Sequence, residues 1–339
     1  MRVLVAMSGG VDSSVAAALA AEAGHDVVGV TLKLWGGRSD TGCCSIADVD
    51  DARRVADRLG LDHHVFNFGE EFEAAVVAPY VADHAAGRTP NPCIECNRRI
   101  KFDVLLRRAE ALGFDALATG HHARVVRRGG VLRVGRGVDA AKDQSYVLHM
   151  LDQATLGRLL LPVGELTKAE VRAEAARLGL RTAAKPDSQE VCFVTRAEGR
   201  AAFLAARRPL RPARVVDRSG AEVGRAEAVE LVTVGQRKGL GTGGGPARYV
   251  LAVDAAAGLV TVGSQADLEV AATPLEQMVW SAGPHEGPVL AQCSAHGAVR
   301  PAVYADGLLT WARPERRVAP GQSIALYDGD VVLGGGIAG

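Results

Sequence analysis

The loop Ser8-Gly-Gly-Val-Asp-Ser13 joins two glycines to hydroxyl and carboxylate side chains, a combination suited to holding phosphate. Gly9 and Gly10 permit positive φ angles and carry no Cβ that would keep a ligand away. A helix expected from Val11 would present free N–H groups and a partial positive charge to an anion. Because no lysine follows the glycines, this is not the Gly-x-x-x-x-Gly-Lys-Ser/Thr phosphate loop. The sequence predicts a phosphate site at residues 8–13.

Two cysteines lie close together in Asn91-Pro-Cys-Ile-Glu-Cys-Asn97. The prolines and asparagines around them predict a rigid loop that ends where a helix begins at Arg99. Cys96 would then lie near a helix N-terminus and beside basic residues, and both features favour the reactive thiolate. A zinc site is the alternative, but it needs a second pair, and the adjacent Cys43 and Cys44 lack the spacing of a metal knuckle.

A further cysteine, Cys192, lies in the segment 185–193, Lys-Pro-Asp-Ser-Gln-Glu-Val-Cys-Phe. Pro186 ends the preceding element, and the Asp-Ser pair after it favours a turn. A cysteine before an apolar residue such as Phe193 is commonly buried packing, so Cys192 alone does not indicate catalysis.

Lysine is used sparingly in this chain, which has 39 lysine and arginine residues in all. A lysine ammonium is a compact point charge, whereas an arginine guanidinium is a planar fork. The few lysines therefore indicate positions where a compact cation is needed. They are Lys33, Lys101, Lys142, Lys168, Lys185 and Lys238.

The elements around these residues predict a parallel α/β sheet in the first 200 residues, because short apolar runs alternate there with helical spacing. The predicted strands are 2–6, 26–34, 63–67 and 115–120, the predicted helices are 11–23, 46–59, 70–86 and 99–112, and a hairpin is predicted at 125–134. A capping box at Thr167 and Glu170 begins a further helix over 166–178. The glycine pair of the first loop and Gly120 both follow strands, at the edge where such sheets bind ligands.

Beyond residue 200 the chain consists of short β-branched segments separated by Gly, Pro and Asp, which is typical of small β domains and barrels. The predicted strands are 213–216, 230–234, 249–253, 259–263, 289–294, 299–304, 307–311, 323–327 and 331–333. We therefore expect an α/β domain at 1–200, a small, mostly-β central domain at 201–270 and a C-terminal β-barrel at 271–339.

The composition is that of an ordinary globular protein, 48% hydrophobic and 23% charged with a formal net charge of +0. It lacks the overall basic charge of many nucleic-acid-binding proteins, although a local basic face is compatible with a neutral total. No apolar run reaches the length of about 18 residues that a membrane helix needs, and no signal-peptide pattern is present, so we expect a cytoplasmic protein. Six cysteines in 339 residues indicate metal or redox chemistry rather than a disulfide scaffold.

The first loop resembles the Ser-Gly-Gly-x-Asp-Ser loop of the PP-loop ATP pyrophosphatases, which cleave ATP to AMP and pyrophosphate. The wider set of motifs is similar to that of the bacterial tRNA-specific 2-thiouridylases and follows the same order from Arg2 to about Leu251. The shared motifs are Asn-Pro-x-x-x-Cys-Asn followed by Ile-Lys-Phe at 91–102, Thr-Gly-His at 119–121, Lys-Asp-Gln-Ser-Tyr at 142–146, Asp-Ser-x-x-x-Cys-Phe at 187–193 and Val-Gly-Gln-Arg-Lys-Gly-Leu-Gly at 234–241. Over about the last 70 residues only the β-rich texture is shared.

The resemblance implies an enzyme that converts the wobble uridine of certain tRNAs to 2-thiouridine through an adenylated uridine, releasing AMP and pyrophosphate. ATP with Mg²⁺ would be used, and a cysteine desulfurase or a sulfur-relay protein would load the sulfur. The resemblance implies Cys192 as the persulfide carrier. It implies Cys96 as the second catalytic cysteine, which would form a disulfide with Cys192 or otherwise activate it. We expect a monomer.

Binding positions carry over from the family residue by residue. The expected ATP contacts are Ala6, Met7, Ser8, Gly9, Gly10, Val11, Asp12, Ser13, Leu32 and Gly120. The expected tRNA contacts are His121, Lys142, Asp143 and Gln144, with Arg300 and Gln322 in the barrel. Arg237 and Lys238 fit either a tRNA contact or a solvated loop. The target base must leave its stack to reach such a site.

One position departs from the family pattern. Many members have an aspartate two residues after Asn91, proposed to transfer a proton, and this chain has Cys93 there. The change removes a candidate carboxylate base and creates a set of three thiols, Cys93, Cys96 and Cys192. Related tRNA thiolases hold a [4Fe–4S] cluster on three cysteines, with one iron left open. A persulfide and a [4Fe–4S] cluster are therefore two candidate routes for the sulfur.

Two other interpretations stay open. A different PP-loop adenylating synthetase would activate a carboxylate, but it would need an ammonia source and would leave Cys96 and Cys192 unexplained. A nucleotide-binding Fe–S or redox sensor would fit Cys93-x-x-Cys96, but it requires neither the Lys142-Asp-Gln motif nor the added β domains. Replacement of Cys192 discriminates between them, because only the thiolation hypothesis predicts sulfur-free wobble uridine with ATP binding retained.

Overall fold

The computed structural model describes residues 1–35, 45–187, 191–194 and 199–339. The Cys43-Cys44 pair considered for zinc lies outside these ranges, as does Ser188 of the Asp-Ser-x-x-x-Cys-Phe motif. Within the described ranges, none of the helices combines the length and the hydropathy that a membrane crossing requires.

Strands and helices alternate in the first half of the chain, and strands dominate the second half. The strands are β1 (Arg2–Ala6), β2 (Asp26–Lys33), β3 (Asp62–Asn67), β4 (Ala116–Thr119), β5 (Ala123–Arg128), β6 (Val131–Arg136), β7 (Leu159–Leu160), β8 (Ala213–Val216), β9 (Glu222–Ala226), β10 (Tyr249–Asp254), β11 (Leu259–Gly263), β12 (Glu269–Trp280), β13 (Gly287–Gln292), β14 (Arg300–Ala305), β15 (Leu308–Arg316), β16 (Ser323–Asp328) and β17 (Val331–Ala338). The α-helices are α1 (Val11–Glu22), α2 (Ile46–Leu59), α3 (Gly69–Phe72), α4 (Ala78–Ala85), α5 (Pro92–Glu95), α6 (Leu105–Ala111), α7 (Gln153–Leu156), α8 (Lys168–Arg177) and α9 (Gly199–Ala205).

A five-stranded parallel sheet in the order β3-β2-β1-β4-β7 forms the centre of the first domain. Successive side chains of a strand point to opposite faces. Val3 and Val5 of β1 therefore pack on the side of α1, α2 and α8, whereas Leu4 packs on the other side with Phe72 and Ile100. The predicted parallel α/β sheet is confirmed, and it brings the ends of β1, β2 and β4 to one edge.

The helix that carries Cys96 begins earlier than predicted, so the prediction of a rigid loop there is wrong. The side chain of Asn91 caps α5 by accepting hydrogen bonds from the backbone N–H of Cys93 (3.1 Å) and of Ile94 (3.4 Å). Pro92 fits the first helical position because its fixed φ is helical and its missing N–H is not needed there. A π-helical segment, Cys96–Val104, joins α5 to α6, so Cys96 lies inside a continuous helix.

Two β units follow the first domain. Strands β10-β11-β8-β9 form a sheet with its own core. Strands β12-β15-β14-β13-β16-β17 form a six-stranded barrel, which closes where β12 pairs with β17. The hairpin β5–β6 of the first domain joins the barrel sheet through the pair Gly135–Val331. The barrel is thereby attached directly to the first domain.

The predicted β-rich central domain and C-terminal barrel are confirmed as architecture, with local differences. The predicted strand 230–234 is wrong, because Val229–Leu231 form a short 3₁₀ turn. Strands β9 and β12 were not predicted. Strand β12 is broken by register shifts and by Gln277, whose φ is 50°, and such irregularity hides the alternation that marks a strand. The domain limits at 1–200, 201–270 and 271–339 stay predictions.

Candidate active site at the carboxyl edge of the parallel sheet

A cavity of about 280 Å³ opens at the carboxyl ends of β1, β2 and β4. Its lining includes most of the expected ATP contacts, namely Ala6, Met7, Ser8, Gly10, Asp12, Ser13, Leu32 and Gly120. His121 and Gln144, which were predicted to contact tRNA, line the same cavity. Leu34, Lys101 and Thr119 also line it and were not predicted. For Lys101 a signal was present, because it is one of the few lysines and lies in the Ile-Lys-Phe motif.

Close backbone packing fixes the loop at residues 8–13. Gly9 has a φ of +73°, and a Cβ there would lie 2.3 Å from the carbonyl oxygen of Asp48. A Cβ on Gly120 would lie 2.5 Å from the backbone nitrogen of Ser13. Gly10, in contrast, has an extended backbone with φ −92°, so of these two glycines only Gly9 uses the positive φ that a glycine permits. The loop is held between α2 and the end of β4.

Hydrogen bonds within the loop complete its shape. The Ser13 hydroxyl accepts a hydrogen bond from the backbone N–H of Ser8 and donates one to the carbonyl oxygen of Gly10, both over 3.1 Å. These bonds turn the chain sharply at the start of α1. The N-terminal end of α1 therefore faces the cavity with its loop already in place, as a phosphate site requires.

Asp12 is bound by two side chains from other parts of the chain. Lys168 donates to both carboxylate oxygens over 2.7 and 2.8 Å, and His122 Nε2 lies 3.0 Å from Oδ1. Burial raises the pKa of Asp12, but the hydrogen bonds from His122 and Lys168 outweigh burial and hold the pKa below its usual value. Asp12 therefore stays charged near neutral pH.

Lys168 also pairs with Asp187, which collects three cations. The Asp187 carboxylate lies 2.8 Å from Lys168 Nζ, 2.8 Å from Lys142 Nζ and 2.9 Å from the Arg172 guanidinium. Burial raises the pKa of Asp187, but the bonds from Lys142 and Lys168 lower it to about 2. Asp12, Lys168, Asp187 and Lys142 thus form a continuous series of contacts, called here the ion-pair chain.

A second lysine ties the segment before Cys192 to the same loop. Lys185 Nζ donates to the carbonyl oxygen of Gly9 over 2.9 Å, to Asp48 over 2.6 Å and to Asp51 over 2.8 Å. Burial lowers the pKa of Lys185, but the bonds to the two carboxylates raise it above its usual value. Lys185 is therefore a charged link between α2 and the loop.

Cys96 and Cys192 are associated with one hydrophobic core. Cys96 is buried in it, and Cys192 is half-buried against it. Phe193, the neighbour of Cys192, is buried and has its ring centroid 5.2–6.2 Å from four other aromatic rings. Those rings belong to Trp35, Phe72, Tyr80 and Phe203. The aromatic cluster fixes the chain next to Cys192.

Cys93 is exposed on α5. In the described part of the chain, no group of three or more Cys, His, Asp or Glu side chains is placed to hold a metal ion. Among the described residues, Cys93, Cys96 and Cys192 thus do not form a ready ligand set for a [4Fe–4S] cluster, which is one of the two candidate routes for the sulfur.

The predicted tRNA contacts occupy different environments. Asp143 is buried, and its carboxylate accepts hydrogen bonds from Arg136, the Gly137 N–H and the Ser145 hydroxyl over 2.6, 3.0 and 2.8 Å. Asp143 thus holds the fold together in this structure, and its contact with tRNA stays a prediction. Lys142 is partly exposed but bound to Asp187.

His121 and Gln144 are fixed beside the cavity. His121 Nδ1 lies 2.8 Å from the Thr119 hydroxyl, and burial, followed by the charge of Lys101, lowers the pKa of His121 well below its usual value. His121 is therefore neutral near neutral pH. Gln144 accepts a hydrogen bond from the backbone N–H of His122 over 2.9 Å.

The other predicted tRNA contacts lie away from the cavity lining. Gln322 donates to the carbonyl oxygen of Thr89 over 2.6 Å, just before the helix that carries Cys96. Arg300 is half exposed and pairs with Glu315 over 3.2 Å. Arg237 and Lys238 are exposed in a loop. The roles of these four side chains stay predictions.

Comparison with known proteins gives consistent matches over nearly the whole chain. Family models described as the tRNA methyl transferase HUP domain, the tRNA methyl transferase PRC-barrel domain and the aminomethyltransferase beta-barrel domain match residues 1–196, 201–264 and 295–338. A solved 4-thiouridine synthetase–RNA complex with bound ATP aligns over 57% of this chain and 44% of that chain, at 21% identity and a TM-score of 0.39. That likeness is too distant to support an argument.

Curated relatives are much closer. The tRNA-specific 2-thiouridylase MnmA of Roseiflexus sp. (strain RS-1) is 47% identical over 99% of this chain and 98% of its own length. The protein of the same name from Mycolicibacterium smegmatis is 48% identical over 98% of both chains. With this identity along nearly its full length, the chain belongs to the tRNA-specific 2-thiouridylase family.

Proposed function

We propose that this protein is a tRNA-uridine 2-sulfurtransferase, which uses ATP to replace the C2 oxygen of the wobble uridine of tRNA by sulfur. The observation that carries the proposal is the family membership over nearly the whole chain. Cys96, Cys192 and the loop at residues 8–13, called here the ATP loop, lie in the motifs that resemble those of the family. The cavity at the loop is where we place the nucleotide, because its glycines and the start of α1 suit phosphates.

Charged residues around the cavity suit ATP bound with Mg²⁺. Asp12 is the one carboxylate among the described residues that line the cavity, and its Oδ2 accepts a hydrogen bond from Lys168. One carboxylate plus substrate phosphates is a common ligand set for Mg²⁺, so Asp12 fits such an ion. When bound, the ion would offset phosphate charge. Lys101 supplies a further positive charge at the lining.

The reaction needs activation because the C2 carbonyl of uridine is a poor electrophile. The uridine oxygen attacks the α-phosphate of ATP, and pyrophosphate leaves. The terminal sulfur of a persulfide on Cys192 then attacks C2, and AMP leaves with the former carbonyl oxygen. The Cys96 thiolate attacks Sγ of Cys192 and displaces the sulfur bound to C2, which frees the 2-thiouridine. The disulfide formed between Cys96 and Cys192 is then reduced by an external thiol.

Asp12 is poorly suited to act as the proton acceptor in this sequence, because its lowered pKa makes it a weak base. A charged carboxylate of this kind instead suits the binding of a cation. The resemblance places Cys93 where many family members have the aspartate proposed for proton transfer, so this position supplies no carboxylate base.

The persulfide route is preferred to the [4Fe–4S] route. Cys93, Cys96 and Cys192 do not form a ready ligand set among the described residues. We further propose that a cysteine desulfurase or sulfur-relay protein loads Cys192, that the enzyme acts as a monomer in the cytoplasm, and that His121, Lys142, Gln144 and the barrel face the tRNA.

The test is mass spectrometry of tRNA nucleosides from a strain that lacks the native enzyme and carries a plasmid-borne variant. The wild-type gene should restore 2-thiouridine, and Cys192→Ser should abolish it although the purified variant still binds ATP. Cys293→Ser is the matched control, because burial raises the pKa of the Cys293 thiol to about 11 and keeps it unreactive. Retention of 2-thiouridine in the Cys192→Ser strain would contradict the proposal.

A further inference from the structure

The ion-pair chain joins a residue of the ATP loop to a residue predicted to contact tRNA. Lys168 lies between two carboxylates, within 2.7 Å of Asp12 and 2.8 Å of Asp187. Lys142 reaches the other oxygen of Asp187 over 2.8 Å. Two sites are thereby connected by three direct contacts, each between opposite charges.

Lys168 is nearly buried, with 11% of its side chain exposed, whereas Lys142 is 37% exposed. Opposite charges interact more strongly where water is excluded. The ion pairs of Lys168 are therefore the stronger contacts of the ion-pair chain. Lys142 is the end residue, which can exchange Asp187 for another anion in solvent.

The single negative charge of Asp187 is shared by three cationic side chains. Arg172 also binds it, and Arg172 is fixed by the carbonyl oxygens of Ala183 and Lys185 over 2.6 and 3.0 Å. Arg172 is thus a constant partner of Asp187. Lys142 and Lys168 compete for the remaining capacity of the carboxylate, so a stronger bond from one weakens the bond to the other.

Asp12 is the point at which a nucleotide acts on the chain. If Asp12 gives an oxygen to Mg²⁺ on ATP, its bonds to Lys168 weaken, because a divalent ion draws carboxylate charge more strongly than an ammonium. Lys168 then relies on Asp187 for its neutralisation. Asp187 in turn holds Lys142 less tightly.

We propose that the ion-pair chain couples the two substrates: binding of Mg-ATP at Asp12 shifts Lys168 towards Asp187 and releases Lys142 to a tRNA phosphate. This inference rests on the proposed function, since it takes ATP and tRNA as ligands. It makes Lys168 and Asp187 positioning residues that favour tRNA binding after ATP. Because coupling between sites is reciprocal, tRNA must tighten nucleotide binding by the same factor.

The experiment measures the dissociation constant of a fluorescent tRNA transcript with an unmodified wobble uridine, at constant Mg²⁺, with and without α,β-methylene ATP. This analogue cannot be cleaved at the bond that the reaction breaks. In the wild-type protein the nucleotide should tighten tRNA binding about fivefold, near the lower end of usual coupling, because exposed Lys142 is screened by solvent.

Without nucleotide, the Asp187→Asn variant should bind tRNA about as tightly as the wild-type protein does in the presence of nucleotide. Addition of nucleotide should then lower the dissociation constant of the variant for tRNA by less than about twofold. Glu174→Gln is the matched control. It also removes a negative charge from the neighbourhood of α8, but Glu174 pairs with Arg177 and not with the ion-pair chain. This control should keep the full response to nucleotide.

Lys142→Gln provides a second test if Asp187→Asn destabilises the fold. Lys142 is more exposed than Asp187, so its replacement should affect stability less. The Lys142→Gln variant should bind tRNA more weakly and show no response to nucleotide. In the absence of tRNA it should bind nucleotide more tightly than the wild-type protein does, because Lys168 no longer shares Asp187 with Lys142. A fivefold response in Asp187→Asn, or none in the wild-type protein, would overturn the coupling and leave the proposed function standing. Failure of the wild-type protein to bind tRNA at all would overturn both.

Discussion

Gly120, at the end of β4, lies against Ser13 of the ATP loop so closely that a Cβ on Gly120 would be 2.5 Å from the Ser13 backbone nitrogen. The same Cβ would lie 2.6 Å from the Asp12 carbonyl carbon. Real Cβ atoms do not approach backbone atoms to such distances. The absence of a side chain at position 120 thus sets the position of the loop that faces the cavity.

Gly120→Ala should weaken ATP binding about tenfold or more, equivalent to at least ~1.4 kcal/mol, because the loop must move to admit the methyl group. Isothermal titration calorimetry with α,β-methylene ATP measures the effect. Gly243→Ala is the control, since no atom lies within 4 Å of a Cβ at that position. Equal ATP affinity in the two variants would show that the contact between β4 and the loop does not position the nucleotide.

Lys185→Met should lower ATP affinity about fivefold, a loss of ~1 kcal/mol that allows for the partial exposure of the ion pairs. The change removes the donor to the Gly9 carbonyl oxygen and leaves Asp48 and Asp51 without this cation. Arg177→Met removes an exposed cation elsewhere in the same domain and should leave ATP affinity unchanged. If both variants bind ATP like the wild-type protein, Lys185 serves stability alone.

Phe193→Ala should lower the free energy of unfolding by about 3 kcal/mol, because a buried ring is lost from the aromatic cluster. Thiolation should fall further than stability explains, since Cys192 loses its fixed neighbour. Phe193→Leu fills more of the space and should restore most of the stability. The measurements are chemical denaturation and the initial rate of 2-thiouridine formation at a temperature where each variant is folded.

Protein stability should decline as pH falls from about 6.5 towards 4, in part through His149. Burial lowers the pKa of His149 to about 4 although a hydrogen bond to the Tyr146 carbonyl opposes the shift. Since the folded-state pKa lies below that of the unfolded chain, the unfolded state binds more protons in this window, and acid favours unfolding. Well above pH 6.5 His149 is neutral in both the folded and the unfolded state, and it causes no loss of stability there.

His149→Gln tests this effect, because it removes one titrating group from the interface with the barrel, where Gly335 packs on the ring. The free energy of unfolding of the variant should fall less steeply with decreasing pH than that of the wild-type protein. The two slopes should differ by up to about 1.4 kcal/mol per pH unit. Denaturant titrations at several pH values provide the comparison. Parallel pH profiles for the two proteins would show that His149 does not contribute.

The fold and the cavity lining were predictable where local patterns carry the information. The strand, glycine turn and helix around Ser8 form one local unit, and Gly120 follows a strand whose end is fixed by a parallel sheet. Leu32 belongs to the neighbouring strand and lies at the same edge for the same reason. Local pattern failed at Asn91 and Pro92, where turn formers act as a helix cap and a first helical residue.

Contacts between distant residues were not predictable. Lys168 lies 156 positions from Asp12, and no periodicity or motif relates the two. The sparing use of lysine pointed to Lys142, Lys168 and Lys185 but not to their partners. The packing of Gly335 on His149 was missed for the same reason, since the two residues come into contact only when the barrel packs on the first domain.

In the proposed mechanism the wobble uridine is adenylated at its C2 oxygen before sulfur arrives. The most direct measurement uses a tRNA with oxygen-18 at that position, incubated with the enzyme, Mg-ATP and a sulfur donor, and determines the mass of the released AMP. The mechanism predicts AMP that is two mass units heavier, in an amount equal to the 2-thiouridine formed. Unlabelled AMP alongside full thiolation would contradict it.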